Sequence, residues 1–405
     1  AQASRLATQD ILLVCLELLG LWALLRVEDS RRRWPWGLLA GATVGLCFLI
    51  KSVMVVLPVV AIAPYLLQKW RIHLTNWGLY VGLVLGFIPV GVWLGLSSQR
   101  YGAVPVQQLL GKVLLLSQVA EGSNAYYPTT PFFYGWNIPA NTFPWALLAI
   151  AGVVVALRSP WIDRGWLWIG YPLILLVELA AFDTRTWYYP LQIYPFLALF
   201  AALALTQLTR RYVSTAPFQR QLPLRLSWLV GCIGFVLLIA GAVLLSAPLW
   251  GIDPNLQTYG WIGIGGGLGW LVPMVIALQD GTSRWQRRGW LWQMGWLLGP
   301  GLAIAALFLS GLWGNYSPDV KTALRTAPVA PILAQHPIYF IQPDATAIGV
   351  LLTFYTPELG DRLASWEALP ANAYAWGPSP IPPDYETIIT LRDWQLALNP
   401  ANSGE

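Results

Sequence analysis

Between residues 10 and 312 the chain alternates long apolar runs with short polar connections. The runs fall near Asp10–Leu25, Trp36–Ile50, Ser52–Leu67, Trp77–Ser97, Phe143–Leu157, Gly165–Phe182, Pro190–Leu208, Leu226–Leu245, Gly260–Gln279 and Gly289–Leu312. A helix crosses a bilayer with about 20 residues, so the pattern predicts about ten transmembrane helices. From Asn315 the pattern changes. The tail is polar and Pro-rich, with four basic and nine acidic residues. There "PIYFIQP" and "YETIITL" read as strands, and "ATAIGVLLTFYT" as a helix or a further strand. The expected fold is an integral membrane all-α bundle over residues 1–314 with a small α/β domain over 315–405.

Charge orients the runs. Fifteen of the 24 Lys and Arg residues lie in five connections: Arg26 with Arg31–Arg33, Lys69/Arg71, Arg158/Arg164, Arg210/Arg211/Arg220/Arg225 and Arg284/Arg287/Arg288. The connections between these are poor in Lys and Arg, and the positive-inside rule puts the five clusters in the cytoplasm. Both chain ends then face outside, and the C-terminal domain is extracytoplasmic on a multi-pass cell-membrane protein. The stretch Trp36–Leu67 has basic clusters at both ends. One long helix cannot return both ends to the same side. The run must go out and come back, with its turn near Lys51–Ser52.

Composition agrees with lipid as the solvent. The chain is 56% hydrophobic and 11% charged, against about 25% charged in soluble domains. Tryptophan is frequent, as at membrane interfaces. Cys15, Cys47 and Cys232 fall in apolar runs and read as small buried hydrophobes. The two histidines, His73 and His336, are far apart, which excludes a Cys/His zinc site. No nucleic-acid partner is expected. "IGIGGGLG" (Ile262–Gly269) lies inside a span with no strand before it, so it is not a phosphate loop. Its Gly263/Gly267 and Gly265/Gly269 spacings suit close helix packing. The chain starts with Ala and enters a span almost at once, so it reads as a piece whose own beginning lies upstream.

Few residues can carry chemistry on the outer side. The basic ones before the tail are Arg5, Lys51, Arg100, Lys112 and Arg185; the acids are Asp10, Glu121, Asp183 and Asp253, with Glu17 and Glu178 deeper. Lys51 either snorkels to the headgroups or meets an anion. Asp10 either caps its helix or pairs with a cation, and Glu17, seven residues on, shares its helix face. The outside loop Ser98–Thr142 opens with an amphipathic stretch around Lys112 that suits a helix lying on the leaflet. It closes with "NAYYPTTPFFYGWNIPANTFPW", which suits either a lid or an interfacial aromatic belt.

Four stretches in order carry a resemblance: "SRLATQDILL", "GLCFLIKSVMVVLP", "PTTPFFYGWNIPANTFPWALL" and "DTRTWYYPLQIYPFLALFAAL". Together they resemble the polytopic polyprenyl-phosphate-sugar glycosyltransferases of the C-type superfold, the aminoarabinose transferases and protein O-mannosyltransferases. "LTFYTPE" in the tail is a weaker echo. The resemblance implies an inverting transfer of a hexosyl or pentosyl group from a polyprenyl-phosphate donor to a lipid, glycan or protein hydroxyl at the outer face. It implies donor-phosphate roles for Lys51, Arg185 and Tyr189, and an orienting or cation-pairing role for Asp10. Lys112 is placed along the donor lipid. A divalent cation is compatible with it, and no other cofactor is implied. The family's main base lies in a loop upstream of residue 1, so this fragment alone is expected to be inactive. Ser52 and Gln192 depart from the family's Gly and Pro. The rival reading from another class is a transporter or flippase of a lipid-linked or anionic substrate.

Overall fold

The computed structural model describes residues 9–107, 109, 130, 132–159, 163–182, 185–246, 251, 256–279, 289–312, 317–341 and 347–400. Contacts divide the chain into two units, Ala1–Ile304 and Ala305–Glu405.

The first unit is helical. Its helices are α1 (Gln9–Asp29), α2 (Arg33–Lys51), α3 (Val56–Gln68), α4 (Trp77–Tyr101), α5 (Phe133–Thr142), α6 (Trp145–Leu157), α7 (Tyr171–Ala181), α8 (Tyr194–Tyr212), α9 (Pro217–Leu245), α10 (Gln257–Leu278) and α11 (Gly289–Leu309), the last running across the unit boundary. Among the described residues five helical stretches are long and apolar enough to cross a membrane, or six if α5 and α6 count as one broken span. The sequence pattern predicts about ten. Arg33–Gln68 counts there as one stretch although it holds two of the predicted runs, shorter apolar helices such as Trp166–Ala181 are not included, and α1 reaches 21 residues but carries Asp10, Glu17, Arg26, Glu28 and Asp29. Most of these charges are held by neighbouring helices rather than by lipid.

The stretch from Arg33 to Gln68 is continuous in helical character, but its ion pairs to the two ends of α1 show that it reverses direction. Helix α2 stops at Lys51, Ser52 takes a left-handed φ of 49°, and a 3-10 turn, Ser52–Val55, leads into α3. Two contacts fix the reversal. Lys51 pairs with Asp10 at one end of α1, and Lys69 Nζ donates to Glu28 Oε2 at 2.7 Å at the other. Asp10 and Glu28 are 18 residues apart, roughly 27 Å along a helix. Asn76 Nδ2 also donates to the carbonyl of Arg33 at 2.9 Å, returning the chain to the start of α2. The expected hairpin is present, with its turn at Lys51–Ser52.

Small residues let the helices touch backbone to backbone. Gly37, Gly41 and Gly45 of α2 meet Asn76 and Gly78–Gly86 around α4, and a Cβ built on Gly82 would lie 2.0 Å from the Leu38 carbonyl oxygen. Gly263 and Gly267 face α9, while Gly265 and Gly269 face α11. The glycine-rich run therefore packs helices on two sides of α10, in the manner of small-residue membrane interfaces. Helix α5 meets α6 at a bend of 103°. It buries Phe133, Tyr134, Asn137 and Ile138 and leaves Trp136 exposed, so this part of the loop is a packed helix with one outward aromatic face.

The second unit holds a five-stranded sheet in the order β2-β1-β3-β5-β4: β1 (Ile338–Ile341), β2 (Leu359–Leu363), β3 (Tyr374–Pro378), β4 (Glu386–Leu391) and β5 (Trp394–Leu398). The β2-β1-β3 half is parallel and the β3-β5-β4 half antiparallel. Three helices, α12 (Pro318–Arg325), α13 (Val329–Gln335) and α14 (Ala347–Tyr355), supply Val320, Leu324, Leu333 and Leu352 to a core with Phe340, Trp376 and Trp394. Within "ATAIGVLLTFYT", Ala347–Tyr355 is thus a helix. Arg392 clamps α12 through two donations to the Asp319 carboxyl at 3.0 Å, and this holds that carboxyl below its ordinary pKa.

The glycine contacts generate a paired prediction on one helix. Gly82→Ala drives a methyl group into the α2 backbone, whereas the same change at Gly91 meets nothing within 4 Å. Gly82→Ala lowers stability by about 1–3 kcal/mol, the cost of overpacking, and Gly91→Ala does not. Thermal unfolding in lipid nanodiscs measures the difference; equal effects of the two changes refute the packing.

Candidate functional site

Helix α1 carries three carboxylates on one stripe. Asp10, Glu17 and Glu28 are spaced by seven and eleven residues, both close to whole numbers of helical turns. The stripe faces protein: Asp10 and Glu17 are buried, and the Glu28 side chain is 6% exposed. Each carboxylate takes partners from a different element.

At the first level, Asp10 pairs with Lys51. The lysine belongs to the last turn of α2, so the turn at Ser52 delivers its ammonium to the head of α1. Lys51 Nζ also lies 4.8 Å from the ring centroid of Tyr189 and 5.8 Å from that of Tyr188. An ammonium over aromatic faces is held by the ring quadrupoles. The two tyrosines stack edge to face at 5.1 Å, with Trp187 edge-on to Tyr188 at 5.5 Å. Lysine has three N–H donors, so an ammonium bound to one carboxylate still has donors to offer.

At the second level, Gln192 Nε2 donates to Glu17 Oε1 at 2.7 Å, and both side chains are buried. Gln192 closes the 3-10 turn Tyr189–Gln192 that leads into α8. At the third level, Glu28 accepts from Tyr65 Oη, from Lys69 Nζ at 2.7 Å and from Arg164 Nε at 3.1 Å, with His73 Nε2 at 3.3 Å. This hub ties the far end of α1 to α3, to the turn Trp70–His73 and to the approach to α7. Burial pushes the His73 imidazole below its ordinary pKa, against the pull of Glu28.

A cavity of about 1240 Å³ opens beside the first level. Lys51, Ser52 and Tyr189 line it, with Leu57, Val90 and Trp93 among its apolar lining residues. The arrangement puts one ammonium group in the wall of a mostly apolar cavity. Arg185 Nη2 donates to the carbonyl of Ala180 at 2.9 Å at the end of α7. Tyr134 is on the buried face of α5. Among the described residues, one buried carboxyl oxygen of Glu178 has no hydrogen-bond partner.

Of the residues singled out in the sequence, Asp10, Lys51 and Tyr189 thus come together directly, with Arg185 on the segment that leads to Tyr189. Lys112 lies outside the described residues, as do Arg5, Glu121, Asp183 and Asp253. Among the described residues no group of three or more His, Cys, Asp or Glu is placed to hold a metal ion. Sequence reasoning missed Gln192 as the partner of Glu17, and Glu28 altogether. For Gln192 the signal was available: an amide in an otherwise apolar run, once buried, needs a partner.

Comparisons with known proteins meet this geometry. The model of the family "Dolichyl-phosphate-mannose-protein mannosyltransferase" matches residues 1–95, which include Asp10, Glu17, Glu28 and Lys51. No curated protein matches the chain. Among solved structures, ArnT from Cupriavidus metallidurans bound to undecaprenyl phosphate superposes with a TM-score of 0.65 at 17% identity, over 98% of this chain and 75% of that one. Its apo form superposes with a TM-score of 0.63 at 16% identity, over 97% and 74%. The chain therefore shares the ArnT fold over nearly its whole length, and its first 95 residues match the dolichyl-phosphate-mannose-protein mannosyltransferase family.

Proposed function

We propose that the protein is a multi-pass cell-membrane glycosyltransferase that moves a sugar from a polyprenyl-phosphate donor to an acceptor hydroxyl at the outer face, with inversion. One observation carries the reading: Lys51, cradled by Tyr188 and Tyr189, lines a cavity of about 1240 Å³ whose other lining residues are mostly apolar. A lipid phosphate pairs a compact anion with a long hydrocarbon chain. The match of residues 1–95 to a family named for dolichyl-phosphate-mannose supports it. So does an ArnT fold that has been seen with undecaprenyl phosphate.

In the reaction the acceptor oxygen attacks the anomeric carbon from the face opposite the phosphate. The carbon–oxygen bond to phosphate breaks, its electron pair stays on the phosphate oxygen, and the acceptor proton passes to a carboxylate base. Negative charge grows on the leaving oxygen. A cation about 4 Å away contributes roughly 4 kcal/mol of gross Coulomb energy at an effective dielectric of about 20. Lys51 and Arg185 supply such charge and Tyr189 a hydroxyl donor. Asp10 holds Lys51 in place rather than taking the acceptor proton, because its carboxylate is already engaged. Lys112 contacts the donor lipid, and the 315–405 domain is extracytoplasmic.

Kinetics of the full-length, membrane-inserted enzyme with a polyprenyl-phosphate sugar test the phosphate role. Lys51→Met keeps the stem and removes the charge. Turnover falls about 30- to 1,000-fold, equivalent to losing roughly 2–4 kcal/mol of transition-state stabilisation. Lys51→Arg retains more activity than Lys51→Met, since charge is kept though geometry changes. The Lys51→Met/Arg185→Met pair falls short of the product of the single losses, because both cations share one phosphate. Near wild-type turnover for Lys51→Met contradicts the role and leaves snorkelling as its account.

A further inference from the structure

Glu17 is a carboxylate buried within a membrane helix, and the phosphate site proposed above does not use it. Such a group in a membrane interior is costly to keep without a purpose. Its partner is not a cation. Gln192 Nε2 donates to it at 2.7 Å, and both side chains are buried. Gln192 lies three residues after Tyr189, and the two are the first and last residues of one 3-10 turn. Tyr189 in turn packs its ring under the Lys51 ammonium, which is bound to Asp10. Asp10 stands seven residues before Glu17 on the same face of α1.

These contacts close a ring: Asp10 to Lys51, Lys51 to Tyr189, Tyr189 through its turn to Gln192, Gln192 to Glu17, and Glu17 along α1 back to Asp10. Two of the links are made by one rigid helix holding two separate elements. Without the Glu17–Gln192 link, the Tyr189 turn keeps only its backbone connection to α8 and its packing. The register between phenol and ammonium would then be unset.

We infer that Glu17 and Gln192 are positioning residues that set Tyr189 against Lys51 and so shape the phosphate-binding site. The inference rests on the phosphate reading of Lys51 given above. The role is geometric: Glu17 acts as a hydrogen-bond acceptor, and its charge is not required. A glutamine at position 17 offers the same acceptor oxygen.

The test is affinity for undecaprenyl phosphate, measured on the full chain in nanodiscs together with thermal stability. Glu17→Leu and Gln192→Leu each weaken binding about tenfold, the scale of one lost charge-assisted hydrogen bond to the phosphate, and each lowers stability. Glu17→Gln keeps affinity within about twofold, since one neutral acceptor replaces another. The Glu17→Leu/Gln192→Leu pair is decisive. Replacing both buried partners by apolar groups restores stability, yet affinity stays about tenfold down, since the turn is no longer held in register. Affinity that recovers together with stability overturns the inference, as does wild-type affinity in both single leucine variants. Lys51→Met weakens binding if the phosphate reading is right. Wild-type affinity in Lys51→Met overturns that reading itself, independently of the Glu17 variants.

Discussion

The Asp10–Lys51 pair is the contact on which the rest of the site depends. An ammonium at the end of a membrane helix needs a counter-charge or it must reach water. Asp10 supplies that charge, and in doing so it fixes where α2 ends. The left-handed Ser52 and the 3-10 turn after it follow from the need to stop the helix there and send α3 back. A buried pair of this kind is weak evidence for stability, since desolvation offsets the Coulomb gain. Its value lies in specificity, because it places one cation in the wall of a mostly apolar cavity.

Helix α1 then acts as a ruler. Three carboxylates on one stripe, at residues 10, 17 and 28, dock three separate elements at three depths. The far end is the most heavily tied, with Tyr65, Lys69, His73 and Arg164 gathered on Glu28. The lower clamp holds α3 and the approach to α7, and the upper pair aims side chains at the cavity. The same helix thus serves as the frame for the fold and the reference for the site. This accounts for its polar character in a chain that is otherwise so apolar.

Much of this was legible in the sequence and some was not. The hairpin at Lys51 was legible because two basic clusters bracket a single apolar run, and membrane sidedness permits no other path. The packing role of Gly263–Gly269 was legible because the spacing is local. The Glu28 hub was not. Its partners Lys69 and Arg164 lie 41 and 136 residues away, and Glu28 itself stands among Arg26 and Arg31–Arg33, where a charge reads as one more member of a solvated cluster. The glycine contacts of α2 with α4 were equally hidden, since each glycine matters only through a backbone on the other helix. In the tail, β1 and β4 were readable from β-branched and aromatic runs. Strand β2, "LGDRL", has no such signal and is defined by its pairing with β1.

The central claim is that Lys51 and Tyr189 receive the phosphate of a lipid whose chain fills the adjoining cavity. An experimental structure of the protein in nanodiscs with undecaprenyl phosphate tests it most directly. The account predicts density for the phosphate within hydrogen-bond distance of Lys51 Nζ and Tyr189 Oη, with Asp10 still bound to Lys51 and the prenyl chain running along Leu57, Val90 and Trp93. A phosphate seated elsewhere, with Lys51 engaged only by Asp10 and the two tyrosines, would contradict it.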